Sequence, residues 1–249
     1  MALQEEMEKQ GNFLFKYRGY LPLIIVAVGL AVFIEPHLTV IHFFVLKYST
    51  VEFIGLFISL FGLFIRAYAV GHTPANTSGR NTKEQLADEL NTTGIYSMVR
   101  HPLYLGNFFM WLGAAVLTKN GWFIVAFILL YWIYYERIMF AEEQFLRRKF
   151  GSVYTDWANK TPAFIPSFKK YIPSKYPFSW KKVLKKEKNG LLAVFVLLFV
   201  FHNINYSFLT NHIRIDLNWI AWGTFAAGIL YLVLKFLKKK TSILNETGR

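Results

Sequence analysis

HPLYLGNFFMWLGAAVLTKNGWFIVAFILLYWIYYERIMFAEEQF, residues His101–Phe145, decides the fold. Apolar residues fill Tyr104–Thr118 and again Trp122–Tyr135, with only Lys119-Asn120-Gly121 between them. So short a polar break joins two antiparallel helices. Residues equally far from such a turn share one height along the pair. Arg100 lies 20 residues before Asn120, and Phe140 lies 20 after it. Glu142 and Glu143 therefore fall within about one helical turn of Arg100 and His101 in height, at a rise of ~1.5 Å per residue. The second arm, Trp122–Phe150, holds 29 residues, which as one helix measures about 43 Å. A hydrocarbon core is about 30 Å thick, so the end carrying Glu142 and Glu143 is expected to project from the membrane.

Outward from this hairpin the chain keeps the same character. Its 249 residues are 54% hydrophobic and 18% aromatic. The further apolar blocks are Tyr20–Ile34, Val51–Val70, Leu191–Leu209 and Leu217–Leu234. With the hairpin these make about six spans, and the fold class expected is an all-α polytopic transmembrane helical bundle with a pocket on the cytoplasmic side. The first apolar run follows a polar, acidic start (Gln4, Glu5, Glu6, Glu8) and reads as a retained span. Three regions are expected: 1–50 as an amino-terminal arm and first span, 51–170 as the core, and 171–249 as a basic linker followed by a helical hairpin.

Charge fixes the orientation expected. The net charge is +13. With the amino terminus inside, 24 of the 28 Lys and Arg fall on the inner side and only Lys47, Lys119 and Arg214 on the outer side, with Arg66 inside a span. That bias is what the positive-inside rule demands, and it places both termini and the active site in the cytoplasm. Basic runs such as Lys181-Lys182 and Lys185-Lys186 then read as contacts with anionic lipid heads rather than with nucleic acid. The chain has no Cys and no metal-ligand spacing, which excludes a disulfide framework, a thiol nucleophile and a thiolate metal site.

Taken singly, the polar residues have plain structural readings. Arg100 and His101 suit interfacial anchors, and Glu142-Glu143 beside Arg147 and Arg148 suit a solvated helix face. Arg66, costly against lipid, is expected to snorkel or pair inside the bundle. His72, Asn76, Arg80 and Lys83 lie on a polar loop. The joint placement of Arg100-His101 and Glu142-Glu143 at one height is what points to a site. Pro102 favours a helix start, whose free N–H groups are expected to favour an anion.

LNTTGIYSMVRHPLYLGNF (Leu90–Phe108) and EEQFLRRKFGSVYTDWANKTPAFIP (Glu142–Pro166) together resemble the two signature blocks of the isoprenylcysteine carboxyl methyltransferases and related phospholipid methyltransferases. The likeness covers about residues 51–170. It implies an integral membrane enzyme moving a methyl group from S-adenosylmethionine to a lipid or lipidated acceptor with a carboxylate, phosphate or amine head. By the same resemblance Leu90, Gly94, Tyr96, His101, Pro102, Tyr104, Glu142 and Glu143 would bind the cofactor. Arg100 and Lys160 would serve the reaction, Lys160 standing where the family usually carries an arginine that grips the substrate carboxylate. Lysine keeps that charge but lacks the bidentate fork. An NADPH-dependent membrane sterol or lipid reductase is the alternative, since such reductases share an Arg-His-Pro hairpin. They usually carry an Arg-Asp and a Cys where this chain has Glu142-Glu143.

Overall fold

A computed structural model describes residues 2–34, 47–75, 77 and 85–248. Asn76, Arg80 and Lys83 of the polar loop lie outside the described residues. The described residues form eight α-helices, in order: α1 Leu3–Tyr17, α2 Leu21–Ile34, α3 Tyr48–Gly71, α4 Pro102–Leu117, α5 Gly121–Phe150, α6 Ser152–Ala158, α7 Trp180–Thr210 and α8 Trp219–Lys240. Among the described residues there is no strand, only one isolated bridge between Gly94 and Ile172.

Among the described residues four helices, α3, α5, α7 and α8, are long and apolar enough to cross a membrane. The expected first span is one limb of a bent pair, Leu3–Tyr17 and Pro22–Ile34, which meets the same test jointly and turns through 75°. α4, with 16 residues, is shorter than the roughly 20 a straight crossing takes. Four helices, or five with the bent pair, therefore stand against the six spans expected from the apolar blocks. Phe57, Phe64, Leu129, Ile133, Phe225 and Phe236 are all more than half exposed, an outward apolar surface that suits lipid rather than water.

The hairpin forms as the sequence dictates. Lys119 takes a positive φ of 54°, and the Asn120 side chain accepts from Phe123 N at 2.9 Å. That satisfies one orphan donor at the start of α5. α5 runs unbroken for 30 residues. α7 begins well before its apolar block: Ser179 caps it by accepting from Lys182 N, so the basic run expected as a linker is the first turns of a 31-residue helix. Lysine is a good helix former, and in this setting its charge does not break the helix. His202 and Asn203 do not end it either. His202 is held by Glu52 and Asp216, and Asn203 by the Phe199 carbonyl.

α3 packs on α4 through small residues. A Cβ on Gly106 would come within 2.5 Å of Arg66 Cγ and 2.8 Å of the Gly62 carbonyl, and one on Gly62 within 2.5 Å of Met110 N. Such backbone approach drives helix association in a solvent as apolar as the side chains. Across the seam Arg66 donates to Glu187 through Nε and Nη2, each at 2.8 Å, and to Asn107 at 2.7 Å. The expectation that Arg66 pairs inside the bundle is met, and the pair ties α3, α4 and α7 together. A column of rings, Phe108, Tyr131, Tyr135 and Tyr104, fills the space between α4 and α5. Phe164 of the closing block packs on it against Phe108 and Trp132.

Candidate functional site

The two polar blocks meet at the end of the hairpin. His101 precedes α4, with Pro102 at its first position, and Glu142 and Glu143 lie 21 and 22 residues into α5 on the antiparallel arm. His101 Nε2 lies 3.0 Å from Glu143 Oε1, and His101 Nδ1 lies 3.7 Å from Glu142 Oε2. Tyr104, one turn along α4, donates its hydroxyl to Glu142 Oε1 at 2.6 Å. Its ring stacks on the His101 ring at 5.7 Å. Arg100 Nε lies 3.3 Å from Glu143 Oε1, yet it is buried and makes no hydrogen bond. A buried guanidinium nitrogen without a hydrogen bond is expensive, and the nearby Glu143 charge offsets part of that cost.

Of the remaining residues, Tyr96 is close enough to feel the Glu142 charge. Tyr96 sits on a short 3-10 turn, Ile95–Ser97, that leads into Arg100. Burial first, and then the Glu142 charge, push its hydroxyl above the ordinary phenol range. Gly94 sets the turn with φ +61°, and a Cβ there would strike the Ser174 side chain. Its N–H donates to the Ile172 carbonyl at 2.8 Å, which fixes the turn against the segment after α6. Leu90 is half-buried beside it in sequence. Lys160 is exposed just past α6 and makes no ion pair among the described residues. The closing block reaches the cluster through its backbone instead: Arg100 N and His101 N donate to the carbonyls of Pro162 and Ala163. These two donors precede α4; within its first turn Pro102 carries no N–H and Tyr104 N turns back to the His101 carbonyl.

Three participants were not anticipated. Arg18, on the turn between α1 and α2, places Nη1 3.5 Å from Glu142 Oε1 and donates to the Tyr104 hydroxyl at 3.4 Å. Tyr154 of α6 is fully buried, and burial together with the Glu143 charge raises its hydroxyl. Glu187 neutralises Arg66. Glu187 had a signal, being the sole acid between Asp156 and Asp216. Tyr154 falls at the tyrosine of the second block, whereas nothing in the spacing of the amino-terminal arm marks Arg18.

Chemically the cluster offers two carboxylates, an imidazole, two guanidinium groups and two phenol faces at one end of a helical hairpin. No group of three or more His, Cys, Asp or Glu side chains suited to a metal ion occurs among the described residues.

A family model described as phospholipid methyltransferase matches residues 38–153. The protein-S-isoprenylcysteine O-methyltransferase of Saccharomyces cerevisiae is 31% identical over 115 residues, 45% of this chain and 48% of that protein. A probable protein-S-isoprenylcysteine O-methyltransferase of Oryza sativa subsp. indica is 33% identical over 127 residues, 48% of this chain and 63% of that protein. A nickel-cobalt-cadmium resistance protein of Alcaligenes xylosoxydans xylosoxydans is 38% identical over 78 residues, 31% of this chain and 36% of that protein. In each case the match covers less than two thirds of the relative's own length. No solved structure matches. The reductase alternative receives no support from these relatives.

Proposed function

We propose that the chain is a methyltransferase of the isoprenylcysteine and phospholipid kind to which it is similar, moving a methyl group from S-adenosylmethionine to a lipid-borne acceptor at the membrane surface. The observation that carries the reading is the joining of His101 to Glu143 and of Tyr104 to Glu142 across the hairpin.

The donor set suits the cofactor. An amino-acid ammonium and a ribose diol both need acceptors, which Glu142 and Glu143 supply. A carboxylate needs charge-assisted donors, and Arg100 Nε is buried with no hydrogen bond. Adenine and a sulfonium both favour aromatic faces, which Tyr96 and Tyr104 offer. When bound, the cofactor supplies a methyl carbon already activated toward displacement.

The protein's own tasks are then alignment and exclusion of water. Tyr104 and His101 hold the two carboxylates in fixed rotamers. The Pro162 and Ala163 carbonyls pin the Arg100-His101 backbone, and the ring column behind Tyr104 keeps that wall rigid. Lys160, on the segment leading to Pro162, supplies a cation for an acceptor head at the surface. The acceptor head is a carboxylate, a phosphate or an amine. The 24-to-3 distribution of Lys and Arg supports a cytoplasmic site and cytoplasmic termini, with the basic start of α7 against anionic lipid heads.

The test is to incubate the purified protein with methyl-labelled S-adenosylmethionine and a total lipid extract, and to identify labelled products by mass spectrometry. A labelled lipid formed by the wild type and not by Glu142→Gln/Glu143→Gln is the expected result. Label found only in water, or equal labelling by both proteins, contradicts it.

A further inference from the structure

α7 lies outside the matched residues 38–153, yet one of its side chains reaches the neighbourhood of the candidate site. Glu187 is the single acid of the helix, set among five lysines. A lone glutamate on such a helix ordinarily pairs with a lysine one turn away. Here Lys182 donates to the Thr73 and Pro74 carbonyls and Lys188 to the Lys185 carbonyl. Glu187 is buried and accepts instead from Arg66 Nε and Nη2 on α3.

Arg66 packs against α4 close to Tyr104. A Cβ on Gly106, two residues past Tyr104, would meet Arg66 Cγ, and Arg66 Nη1 donates to Asn107 Oδ1. Its charge reaches the site. Tyr96 feels both the Glu142 carboxylate and the Arg66 guanidinium. Tyr135, whose ring lies 4.8 Å from the Tyr104 ring, feels Arg66 as well. A guanidinium does not shed its proton, so Arg66 is a permanent cation beside these rings. Left uncancelled, it would oppose any second cation held by Tyr96 and Tyr104, and between buried groups such a force is weakly screened.

We infer that Glu187 cancels the Arg66 charge so that the site accepts a sulfonium, and that it thereby sets the preference for the methyl donor over its demethylated form. The inference rests on the methyltransferase reading. S-adenosylmethionine and S-adenosylhomocysteine share the ammonium, the carboxylate, the ribose and the adenine. They differ by one methyl group and by the positive charge on sulfur, which is a neutral thioether once the methyl has gone. The field of Arg66 acts on that difference. Glu187 touches no reacting atom; it acts through Arg66 and is a positioning residue. The matched segment thus carries the arginine, and the carboxyl-terminal helix α7 carries its counter-charge.

The test is calorimetric binding of S-adenosylmethionine and of S-adenosylhomocysteine to the detergent-purified protein, read as the ratio of the two affinities. Near-ultraviolet circular dichroism on the same samples reports the fold. Glu187→Gln keeps the size and an acceptor but removes the charge. It should lower the ratio about tenfold, the order given by one unit charge across a helix diameter of ~10 Å at an effective dielectric of ~20. Asn107→Asp adds a negative charge at a position that already accepts from Arg66 and leaves the Glu187 pair intact, so it tests the same field even where Glu187→Gln fails to fold. It should raise the ratio, and Asn107→Asp/Glu187→Gln should return it to the wild-type value. Affinities that change together, with the ratio unmoved in Glu187→Gln and in Asn107→Asp, mark the pair as structural and overturn the inference while the methyltransferase reading stands. Wild-type protein that binds neither ligand overturns that reading, and the inference with it.

Discussion

Replacing Arg66 with Met strands a buried carboxylate. Arg66 and Glu187 are joined by two hydrogen bonds of 2.8 Å, with side chains only 14% and 6% exposed. Arg66 also satisfies Asn107 from α4 at 2.7 Å. Removing one partner of such a pair costs about 3–5 kcal/mol, because the other charge stays behind without compensation. The bidentate geometry and the loss of the Asn107 contact place Arg66→Met toward the upper part of that range. Arg66→Met/Glu187→Met removes both charges, and similar-sized apolar replacements for a buried pair are often neutral. The double variant is therefore expected within about 1–2 kcal/mol of the wild type. Reversible unfolding in mixed detergent, followed by tryptophan fluorescence, gives all four corners of the cycle. A single variant within about 0.5 kcal/mol of the wild type, the range of a neutral surface change, would falsify the claim that this pair ties three helices together. So would a double variant no more stable than the worse single one.

Three other outcomes follow from the same contacts. Glu143→Gln weakens the hold on His101 Nε2 and Arg100, and S-adenosylmethionine affinity should fall about tenfold or more by calorimetry, with helix content by circular dichroism unchanged. Gly106→Leu forces a side chain where a Cβ alone already meets Arg66 Cγ at 2.5 Å; it should cost about 1–3 kcal/mol or more in thermal unfolding. The raised Tyr96 hydroxyl keeps its proton in the folded state after the unfolded chain has begun to lose it. Its contribution to stability is present below the ordinary phenol value of 10.0 and is lost as pH climbs through the raised one. Near-ultraviolet titration of native Tyr96→Phe should accordingly show the same phenolate step near that value as the wild type, with a difference appearing only after unfolding.

Much of the fold was legible because lipid imposes simple rules. Apolar blocks, a three-residue break and the arithmetic of residues equidistant from Asn120 were enough to bring His101 to the glutamates. The number of crossings was less legible. Length alone does not separate a crossing helix from α4, which is shielded by its glycine seam with α3, or from α2, which reaches crossing length only with a sharply bent partner. The basic run before the fifth apolar block gave no sign that it continues the same helix, since the Ser179 cap and lysine propensity act locally while the charge pattern suggested a linker. At the site, residues inside the two blocks were readable from the hairpin. Arg18 was not, because its position depends on how α1 lies across α5, a tertiary contact made through Gly11 and Phe15. The same holds for the corner just before α4, where Arg100 N and His101 N find acceptors far along the chain. The carbonyls that satisfy them come from Pro162 and Ala163, about 60 residues later in the chain.

The central claim is that the paired glutamates and the Arg100-His101-Pro102 corner together hold a sulfonium methyl donor. Equilibrium binding of S-adenosylmethionine and of NADPH to the detergent-purified protein, measured by calorimetry, tests it most directly. Saturable one-site binding of S-adenosylmethionine alone, lost in Glu142→Gln/Glu143→Gln, is the predicted result. Undiminished binding by that double variant, or binding of NADPH in place of S-adenosylmethionine, would contradict it.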